Sequence, residues 1–361
     1  MAAGLYIHIP FCFSKCPYCD FYSTKYTPTA ADAFAEKLGG QMQDYTGSFD
    51  TVYFGGGTPS ILEPQVLTGI LQAVRDHFAI DPAAEITVEC NPSKDLTGDM
   101  EQYAAAGINR VSIGMQSAVD RERFALGRRA GSGEVARTVA AAKAAGITNI
   151  SLDVMLGTPK QTLDSLEKTF AFIERMQVTH ISAYLLKIEP GTPFDRLQAK
   201  LALPEEDTVC QMYLQTVERL GQLGFAQYEI SNFACPGHEG RHNLLYWNCK
   251  DYWGIGPAAH SCLGSVRRFW PNDTAAFIAG TVQEQYEGPC NAEDYLIMQL
   301  RLCSGLNLTE YVARYGVRFD AGQMAFLRHC AASGYAVLDG DTLRLTPSGM
   351  IVQNAILEEL I

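Results

Sequence analysis

The chain has 361 residues, of which 47% are hydrophobic, and it carries a formal net charge of −12 at neutral pH. This length and apolar content suffice to bury a large core, either as one big domain with an appendage or as two ordinary domains. The acidic balance, spread without long runs of one sign, argues against nucleic acid as the main partner and against adhesion to an anionic membrane surface.

The N-terminal sequence and the cysteine content favour a protein of a reducing compartment. No positively charged stretch precedes an apolar segment, and no apolar run reaches the roughly 18 residues that a membrane span needs. We therefore expect a cytoplasmic protein without a transmembrane segment. Because 11 cysteines is an odd number in a chain too large to need disulfides, we expect reduced thiols, some of them metal ligands.

Short β-rich runs alternate with amphipathic stretches up to about residue 230. Such alternation predicts parallel strands joined by right-handed helical crossovers. Six units are too few to close an eight-unit barrel, so we predict an α/β fold, an open and partial (β/α)6 TIM-like barrel over residues 1–230, with its site at the C-terminal ends of the strands. The predicted strands are 5–9, 51–54, 85–89, 110–114, 149–155 and 180–185, and the predicted helices are 30–45, 63–77, 97–106, 133–145 and 163–175.

Two further segments follow a predicted helix at 205–223. Residues 231–290 show no clear period and are predicted to form an irregular linker. Residues 291–361 read as helices followed by a hairpin that turns at Asp339 and Gly340, which is typical of a winged-helix-like α+β domain. With five Lys and Arg against eight Asp and Glu, this domain lacks the basic footprint of a DNA reader, so packing or partner contact is expected.

Three cysteines, Cys12, Cys16 and Cys19, follow the first predicted strand directly. Thiolates at this spacing can bind three irons of one [4Fe-4S] cubane and leave the fourth iron open to an outside ligand. The aromatic and apolar residues around them would form a dry shell that shields a cluster. The alternative is a zinc site, which needs a fourth protein ligand, with His8 the nearest candidate.

The next motif, YFGGGTPS, follows the second predicted strand. Its three glycines, Gly55 to Gly57, allow the backbone to approach a ligand closely and to offer N–H groups to a carboxylate or another polar partner. The alternative for a glycine triplet is a tight turn from strand to helix.

Taken together, CFSKCPYCDF, GGGTP, VECNP and SIGMQS resemble the radical S-adenosylmethionine (SAM) superfamily over essentially the whole chain, and in particular its oxygen-independent coproporphyrinogen III oxidase-like proteins. The resemblance implies that SAM chelates the open iron through its amino and carboxylate groups. One electron from the cluster then cleaves the sulfonium to a 5′-deoxyadenosyl radical.

The resemblance also implies a SAM pocket built from successive strand ends. Glu89 and Asp153 would accept hydrogen bonds there, and Arg128 would bind a carboxylate through two parallel hydrogen bonds. The alternative role for Arg128 and Asp153 is a surface salt bridge. The residues carried over are Tyr6 and Tyr18 lining the pocket, Gly56, Gly57 and Thr58 at the methionine end, and Glu89, Gln116, Arg128 and Asp153 completing it.

Two features separate the branches of this family. True coproporphyrinogen dehydrogenases have a further cysteine two residues beyond the triad, where this chain has Phe21. The sequence RHNLLYW matches the HNxxYW signature of the heme chaperones, through His242, Asn243, Tyr246 and Trp247. The imidazole would ligate heme iron and the two aromatic rings would stack on the macrocycle, the alternative being a structural histidine.

One departure from the family pattern lies just after Arg128. Where relatives often carry a histidine two residues beyond the arginine, this chain has Ala130. That difference puts in doubt any role assigned to the position.

Three functional hypotheses follow. The first is a heme chaperone that binds heme with a [4Fe-4S] cluster and SAM, draws on a reductant for the cluster, and delivers heme to acceptor proteins. The alternative is an oxygen-independent coproporphyrinogen III dehydrogenase that uses the radical. The third is a winged-helix regulator that binds DNA or a partner protein and carries a redox-sensing cluster. The partners expected are heme or another porphyrin and heme-accepting proteins, not nucleic acid, and a homodimer is compatible with the resemblance.

Overall fold

A partial barrel of parallel strands forms the centre of the computed structural model, which describes residues 3–361. The strands up to residue 185 are β1 (Ala3–Ile9), β2 (Phe11–Cys12), β3 (Thr24–Lys25), β4 (Ser48–Gly56), β5 (Ala79–Cys90), β6 (Arg110–Gln116), β7 (Asn149–Leu156) and β8 (His180–Leu185). Strands β1, β4, β5, β6, β7 and β8 are parallel neighbours in that order. All six predicted strands lie inside them, and the predicted partial α/β barrel is confirmed.

Helices connect these strands. They are α1 (Pro28–Gln41), α2 (Pro64–His77), α3 (Thr97–Ala105), α4 (Asp120–Ala125), α5 (Ser132–Ala144), α6 (Leu163–Met176), α7 (Pro193–Leu197) and α8 (Glu206–Gln222), with short 3₁₀ turns at Met42–Asp44, Pro59–Ile61 and Gln198–Lys200. Helix α1 ends at Gln41 rather than at residue 45 as predicted. Gly39 and Gly40 directly precede that end, and glycine is a poor helix former.

The alternation of side chains along the strands separates an apolar core from a polar barrel interior. On β1, Leu5, Ile7 and Ile9 are fully buried in the core beneath the helices. Tyr6 and His8 point to the other face, where the ring of Tyr6 lies 6.1 Å from that of Tyr53 on β4. The barrel interior therefore carries the polar groups from which a site can be built.

The prediction that residues 231–290 are irregular was wrong, because they extend the sheet at both edges. The segment around it contains β9 (Ala226–Gln227), β10 (Asn232–Ala234), α9 (Arg241–Trp247), β11 (Tyr252–Ile255), β12 (His260–Leu263), β13 (Val266–Phe269), α10 (Thr274–Ala279) and β14 (Gln285–Pro289). Strand β10 pairs antiparallel with β8, β11 pairs parallel with β1, and the sheet reaches twelve strands. Strands of two to five residues are too short to show a period in the sequence.

The C-terminal part combines helices with a small sheet. Its elements are α11 (Ala292–Gln299), β15 (Leu306–Asn307), α12 (Leu308–Tyr315), α13 (Ala321–Ala332), β16 (Ala336–Asp339), β17 (Thr342–Leu345), α14 (Pro347–Ile351) and α15 (Gln353–Glu358). The predicted hairpin is present, since β16 and β17 pair antiparallel around Gly340, whose φ is +55°. The division of the chain at residues 230 and 290 stays a prediction. None of the helices in residues 3–361 combines the length and apolarity that crossing a membrane requires.

Candidate functional site

The three cysteines of the motif lie on one loop at the C-terminal end of β1. The loop is closed by backbone hydrogen bonds, from Thr24 N to the carbonyl of Pro10 (2.7 Å) and from Tyr26 N to that of Cys12 (3.0 Å). Inside it, Cys19 N donates to the carbonyl of Cys16 at 3.1 Å, and all three thiols are half-buried and unoxidised. The sequence thus folds locally into a loop that holds the three thiols at the barrel mouth.

The donor set fits a cluster better than a single zinc ion. Among residues 3–361, no three His, Cys, Asp or Glu side chains converge on one point as a single ion requires. A cubane spreads its thiolates over separate irons and does not need such convergence. Burial, with a further contribution from the neighbouring Cys16 and Cys12 thiols, raises the pKa of Cys19, so that a metal centre would be needed to hold it as the thiolate.

His8, the fourth ligand that zinc would need, is engaged elsewhere. Its Nδ1 lies 3.1 Å from the hydroxyl of Tyr6, and its Nε2 lies 3.2 Å from the carbonyl of Tyr22. Burial lowers its pKa to about 4. Both ring nitrogens are used inside the barrel, which disfavours the zinc alternative.

The glycine-rich loop is joined to the cysteine loop by its own backbone. Gly57 N donates to the carbonyl of Ile9 at 2.8 Å and Thr58 N to that of Phe11 at 2.9 Å. A Cβ at Gly57 would lie only 2.6 Å from the Phe11 oxygen, so that only glycine permits this approach. Contrary to the expectation from the motif, these N–H groups support the cysteine loop and are not free for a cofactor. The hydroxyl of Thr58 lies 3.7 Å from the Cys12 sulfur and remains beside the cluster position.

A half-buried carboxylate, Glu89 at the end of β5, lies at the mouth of the barrel. It accepts a hydrogen bond from the Tyr53 hydroxyl at 2.8 Å and another from Gly56 N at 3.2 Å. Burial raises its pKa to about 7. Tyr6 packs close by, since a Cβ at Gly55 would lie 2.9 Å from the Tyr6 ring and 3.1 Å from the Glu89 carboxylate. The structure therefore brings Glu89 and Tyr6 together, as the family resemblance implied.

Arg128, Tyr18 and Gln116 form the opposite wall of the site. Arg128 Nη2 donates to the Tyr18 hydroxyl at 2.9 Å, while its Nε is buried without a hydrogen-bond partner among the residues described. An orphaned guanidinium nitrogen at this place fits the carboxylate of a bound cofactor. Gln116 is 6% exposed and adopts a φ of +68°, which is rare for a residue with a Cβ and is typical of functional sites.

Asp153 of β7 is the last of the predicted SAM-pocket residues. It is half-buried and accepts a hydrogen bond from Ser112 Oγ at 2.8 Å, and loss of hydration inside the barrel raises its pKa. Surface salt bridges were the alternative role for Asp153 and Arg128. Neither residue forms one, because both lie inside the barrel and contact hydroxyl groups there.

Arg123 is a residue that the sequence did not single out. It is fully buried, and its guanidinium donates to the carbonyls of Met115, of Ser117 (3.2 Å) and of Ala130 (2.7 Å). The carbonyls of Met115 and Ser117 lie on either side of Gln116, and that of Ala130 lies two residues after Arg128. In the sequence, Arg123 lies in the charged run DRER of a short helix and reads as a solvent-exposed residue, so only its burial reveals it.

The HNxxYW motif lies elsewhere, on α9 near the start of β1 and β4. The carboxylate of Glu85 caps this helix by accepting hydrogen bonds from Arg241 N (3.1 Å) and His242 N (3.0 Å). A Cβ at Gly4, at the beginning of β1, would lie 3.0 Å from the His242 ring. The motif is therefore not on the cysteine loop but inside the barrel beneath Tyr6, whose ring lies 6.3 Å from that of His242.

Both nitrogens of the His242 ring are engaged. Nδ1 lies 2.7 Å from Thr51 Oγ1, and Nε2 lies 2.7 Å from the Tyr246 hydroxyl. His242 is 1% exposed and stacks on Tyr53 with the ring centroids 5.1 Å apart. Burial lowers its pKa to about 3. This geometry supports the structural interpretation of His242, because both ring nitrogens have a hydroxyl partner.

Of the other predicted heme residues, Trp247 faces the C-terminal part of the chain. Arg301 lies over its ring at 4.4 Å, and Gln299 Nε2 donates to its carbonyl at 2.8 Å. The side chain of Asn243 is half-buried. The arrangement joins α9 to α11 and does not present two rings for a macrocycle to stack on.

Comparison with known proteins agrees with the fold. Residues 6–173 match the radical SAM superfamily and residues 291–352 match the HemN C-terminal domain. The heme chaperone HemW of Mycobacterium tuberculosis (strain H37Rv) is 35% identical, over 99% of this chain and 94% of that protein. The heme chaperone HemW of Escherichia coli (strain K12) is 32% identical, over 98% of this chain and 97% of that protein.

A solved structure shows the same fold. Coproporphyrinogen III oxidase (HemN) from Escherichia coli, a radical SAM enzyme, superposes with a TM-score of 0.84 over 99% of this chain and 90% of that chain, at 19% identity. A sequence identity of 19% shows that the two proteins share a fold and does not show that they share an activity. The matches that span the whole chain at 30% identity or more place it further: the chain belongs to the radical SAM superfamily and, within it, to the family of the HemW proteins.

Proposed function

We propose that this protein is a heme chaperone, which binds heme and delivers it to acceptor proteins. The observation that carries the proposal is the identity of 32–35% with proteins named heme chaperone HemW over nearly the whole chain. Phe21, where a further cysteine would mark the dehydrogenase branch, supports the same conclusion.

We propose further that Cys12, Cys16 and Cys19 hold a [4Fe-4S] cluster and that SAM binds at its open iron. When bound, such a cluster supplies one electron and one vacant coordination site for the amino and carboxylate groups of SAM. The support in this chain is the loop of three half-buried thiols beside a set of half-buried polar groups at the barrel mouth.

The residues of the pocket have distinct roles in this proposal. Arg128, whose Nε has no partner among the described residues, holds a carboxylate, and Tyr18 fixes the plane of its guanidinium. Glu89 and Asp153 accept hydrogen bonds from hydroxyl or ammonium groups. Because the pKa of Glu89 is raised to about 7, this carboxyl can hold or release a proton near neutral pH.

The remaining proposals concern the C-terminal residues, the cellular compartment and the source of electrons. We propose that residues 291–361 serve packing or protein contact, since their balance is acidic and the Trp247–Arg301 contact ties them to α9. We also propose that the protein works in the cytoplasm, where its 11 free cysteines would stay reduced. A reductant must supply the cluster electron.

The test is a heme titration of protein whose cluster has been reconstituted without oxygen. We expect a saturable shift of the heme Soret band, followed by transfer of the heme when an apo heme protein such as apomyoglobin is added. The absence of saturable binding would contradict the proposal. A parallel incubation with SAM, reductant and coproporphyrinogen III examines the dehydrogenase alternative, which formation of protoporphyrinogen would support.

A further inference from the structure

Two cysteine side chains outside the cysteine loop lie in direct contact. The sulfur of Cys262 on β12 lies 3.4 Å from that of Cys290, which follows β14, and both thiols are free. The sulfurs of a disulfide are about 2.05 Å apart, so an approach of about 1.4 Å would close the bond. Small rotations of the two side chains suffice for such a movement.

Backbone hydrogen bonds hold the two cysteines in place. In its strand, Cys262 lies opposite Tyr252 of β11 on one side and opposite Arg267 of β13 on the other. The N–H of Cys290 donates to the carbonyl of Ser265 at 2.8 Å, in the turn between β12 and β13. Because both backbones are fixed in this way, the contact between the sulfurs belongs to the folded sheet.

The pair lies at the other end of the sheet from the cysteine loop. Tyr252, which faces Cys262, pairs with Gly4 at the start of β1. The cysteine loop follows the opposite end of β1, where Ile9 is the last residue. Five residues of strand separate Gly4 from Ile9, a distance of about 16 Å. These two thiols are therefore separate from the thiols proposed to hold the cluster.

The two thiols differ in exposure. Cys290 is half-buried, whereas Cys262 is only 4% exposed. Burial, with further contributions from the hydrogen bond and the charge of Cys290, raises the pKa of Cys262 to about 12. Of the two, Cys290 is therefore the thiol that a dissolved reagent meets first, and Cys262 reacts second, inside the fold.

A third thiol, Cys249, lies close to the pair. Burial, with a further contribution from the neighbouring Cys290, raises its pKa to about 11. Cys249 follows Trp247 of the HNxxYW motif by two residues, and its φ of +46° is uncommon for a residue with a Cβ. It is the competitor for Cys290 that a test has to distinguish from Cys262.

We propose that Cys262 and Cys290 form a reversible disulfide by exchange with a small-molecule disulfide such as oxidised glutathione. The thiolate of Cys290 attacks one sulfur of the small molecule, which releases one thiolate and leaves a mixed disulfide on Cys290. Cys262 then gives up its proton and attacks the sulfur of Cys290, which releases the second thiolate. The protein loses two electrons and two protons, and the small disulfide is reduced to two thiols.

The position of the pair gives the disulfide a structural consequence. Cys290 directly precedes Asn291, the N-cap of α11, while Cys262 belongs to the large sheet. The bond would thus tie the start of the C-terminal part to that sheet and close a loop between residues 28 positions apart. Such a cross-link restricts the unfolded chain and stabilises the fold. In a reducing compartment the pair stays open until the small disulfide accumulates.

The experiment treats cluster-loaded protein with oxidised glutathione, blocks the remaining thiols with N-ethylmaleimide and maps the cysteines by peptide mass spectrometry. We expect the loss of about two free thiols per chain, a peptide that joins Cys262 to Cys290, and recovery of both thiols with dithiothreitol. The midpoint of urea unfolding should be higher for the oxidised protein than for the reduced protein.

Two variants test the order of the steps. In Cys262→Ser, Cys290 should keep a glutathione, because the thiol that displaces it is missing. The control Cys210→Ser removes a half-buried thiol of α8 and should behave as the unaltered protein does.

Three results would overturn the inference. They are cysteines 262 and 290 that stay free after the treatment, a disulfide that joins Cys290 to Cys249, and a glutathione that remains on Cys290 of the unaltered protein. Because the mapping is done on the unaltered protein, its outcome does not depend on whether a variant folds. None of these measurements involves heme, so their failure would leave the proposed function in place.

Discussion

The buried Arg123 gives the sharpest prediction about how the site is held. Replacing it by Met keeps an apolar stem of similar length and removes the guanidinium, so that the carbonyls of Met115, Ser117 and Ala130 lose a donor in a region closed to water. Each unsatisfied buried group costs about 1–3 kcal/mol, and the relief of guanidinium desolvation offsets part of the total. We expect Arg123→Met to lower the free energy of unfolding by about 3–5 kcal/mol.

The same substitution should also weaken SAM binding, because Gln116 holds its φ of +68° only while its two neighbouring carbonyls are fixed. Urea unfolding followed by circular dichroism measures the stability, and SAM titration of cluster-loaded protein measures the affinity, which we expect to fall by more than about tenfold. The control is Arg121→Met, since Arg121 is 57% exposed and should change stability by less than about 0.5 kcal/mol. Stability and SAM affinity that stay unchanged in Arg123→Met would refute the reasoning.

Three further outcomes follow from the geometry. Folding raises the pKa of Glu89 from 4.5 to about 7, so the contribution of this carboxyl to the free energy of unfolding should fall by about 3 kcal/mol as pH rises between these values. In urea unfolding measured from pH 4.5 to pH 8, Glu89→Gln should remove this decline. A decline that is the same in the variant would contradict the prediction. His242→Ala should lower the free energy of unfolding by about 2–4 kcal/mol, because a buried ring loses two hydrogen bonds and a stacking partner. The heme affinity of the folded protein should stay unchanged, and weaker binding in a heme titration would restore His242 as a ligand. Gly57→Ala forces a Cβ against the Phe11 carbonyl and should reduce cluster content in an iron assay. The control Gly69→Ala should not, because nothing lies within 4 Å of the added Cβ. Equal cluster content in the two variants would contradict the requirement for glycine beside Phe11.

Much of the barrel could be predicted from the sequence because its signals are local. Alternation along β1 and the amphipathic pattern of α2 are properties of contiguous residues, and the spacing of Cys12, Cys16 and Cys19 is fixed within one loop. Such features do not depend on what the rest of the chain does.

The remainder depends on contacts between distant segments. The short strands β10 and β11 are ordered by the edges of the barrel sheet and have too few residues to show a period. His242 could be named as a special residue from its motif, but its two hydrogen-bond partners come from Thr51 and Tyr246, and burial decides its role. Arg123 carried no signal, because a charged residue in a charged run is normally exposed.

The central claim is that three thiols hold a cluster with one open iron. The most direct measurement is iron and sulfide analysis, followed by EPR with and without SAM, on oxygen-free reconstituted protein, its Cys16→Ser variant and a Cys210→Ser control on α8. We predict about four irons per chain and a SAM-dependent EPR change in the unaltered protein and in Cys210→Ser, and loss of both in Cys16→Ser. Zinc in place of iron, a cluster that survives Cys16→Ser undiminished, or a spectrum that SAM leaves unchanged would contradict the claim.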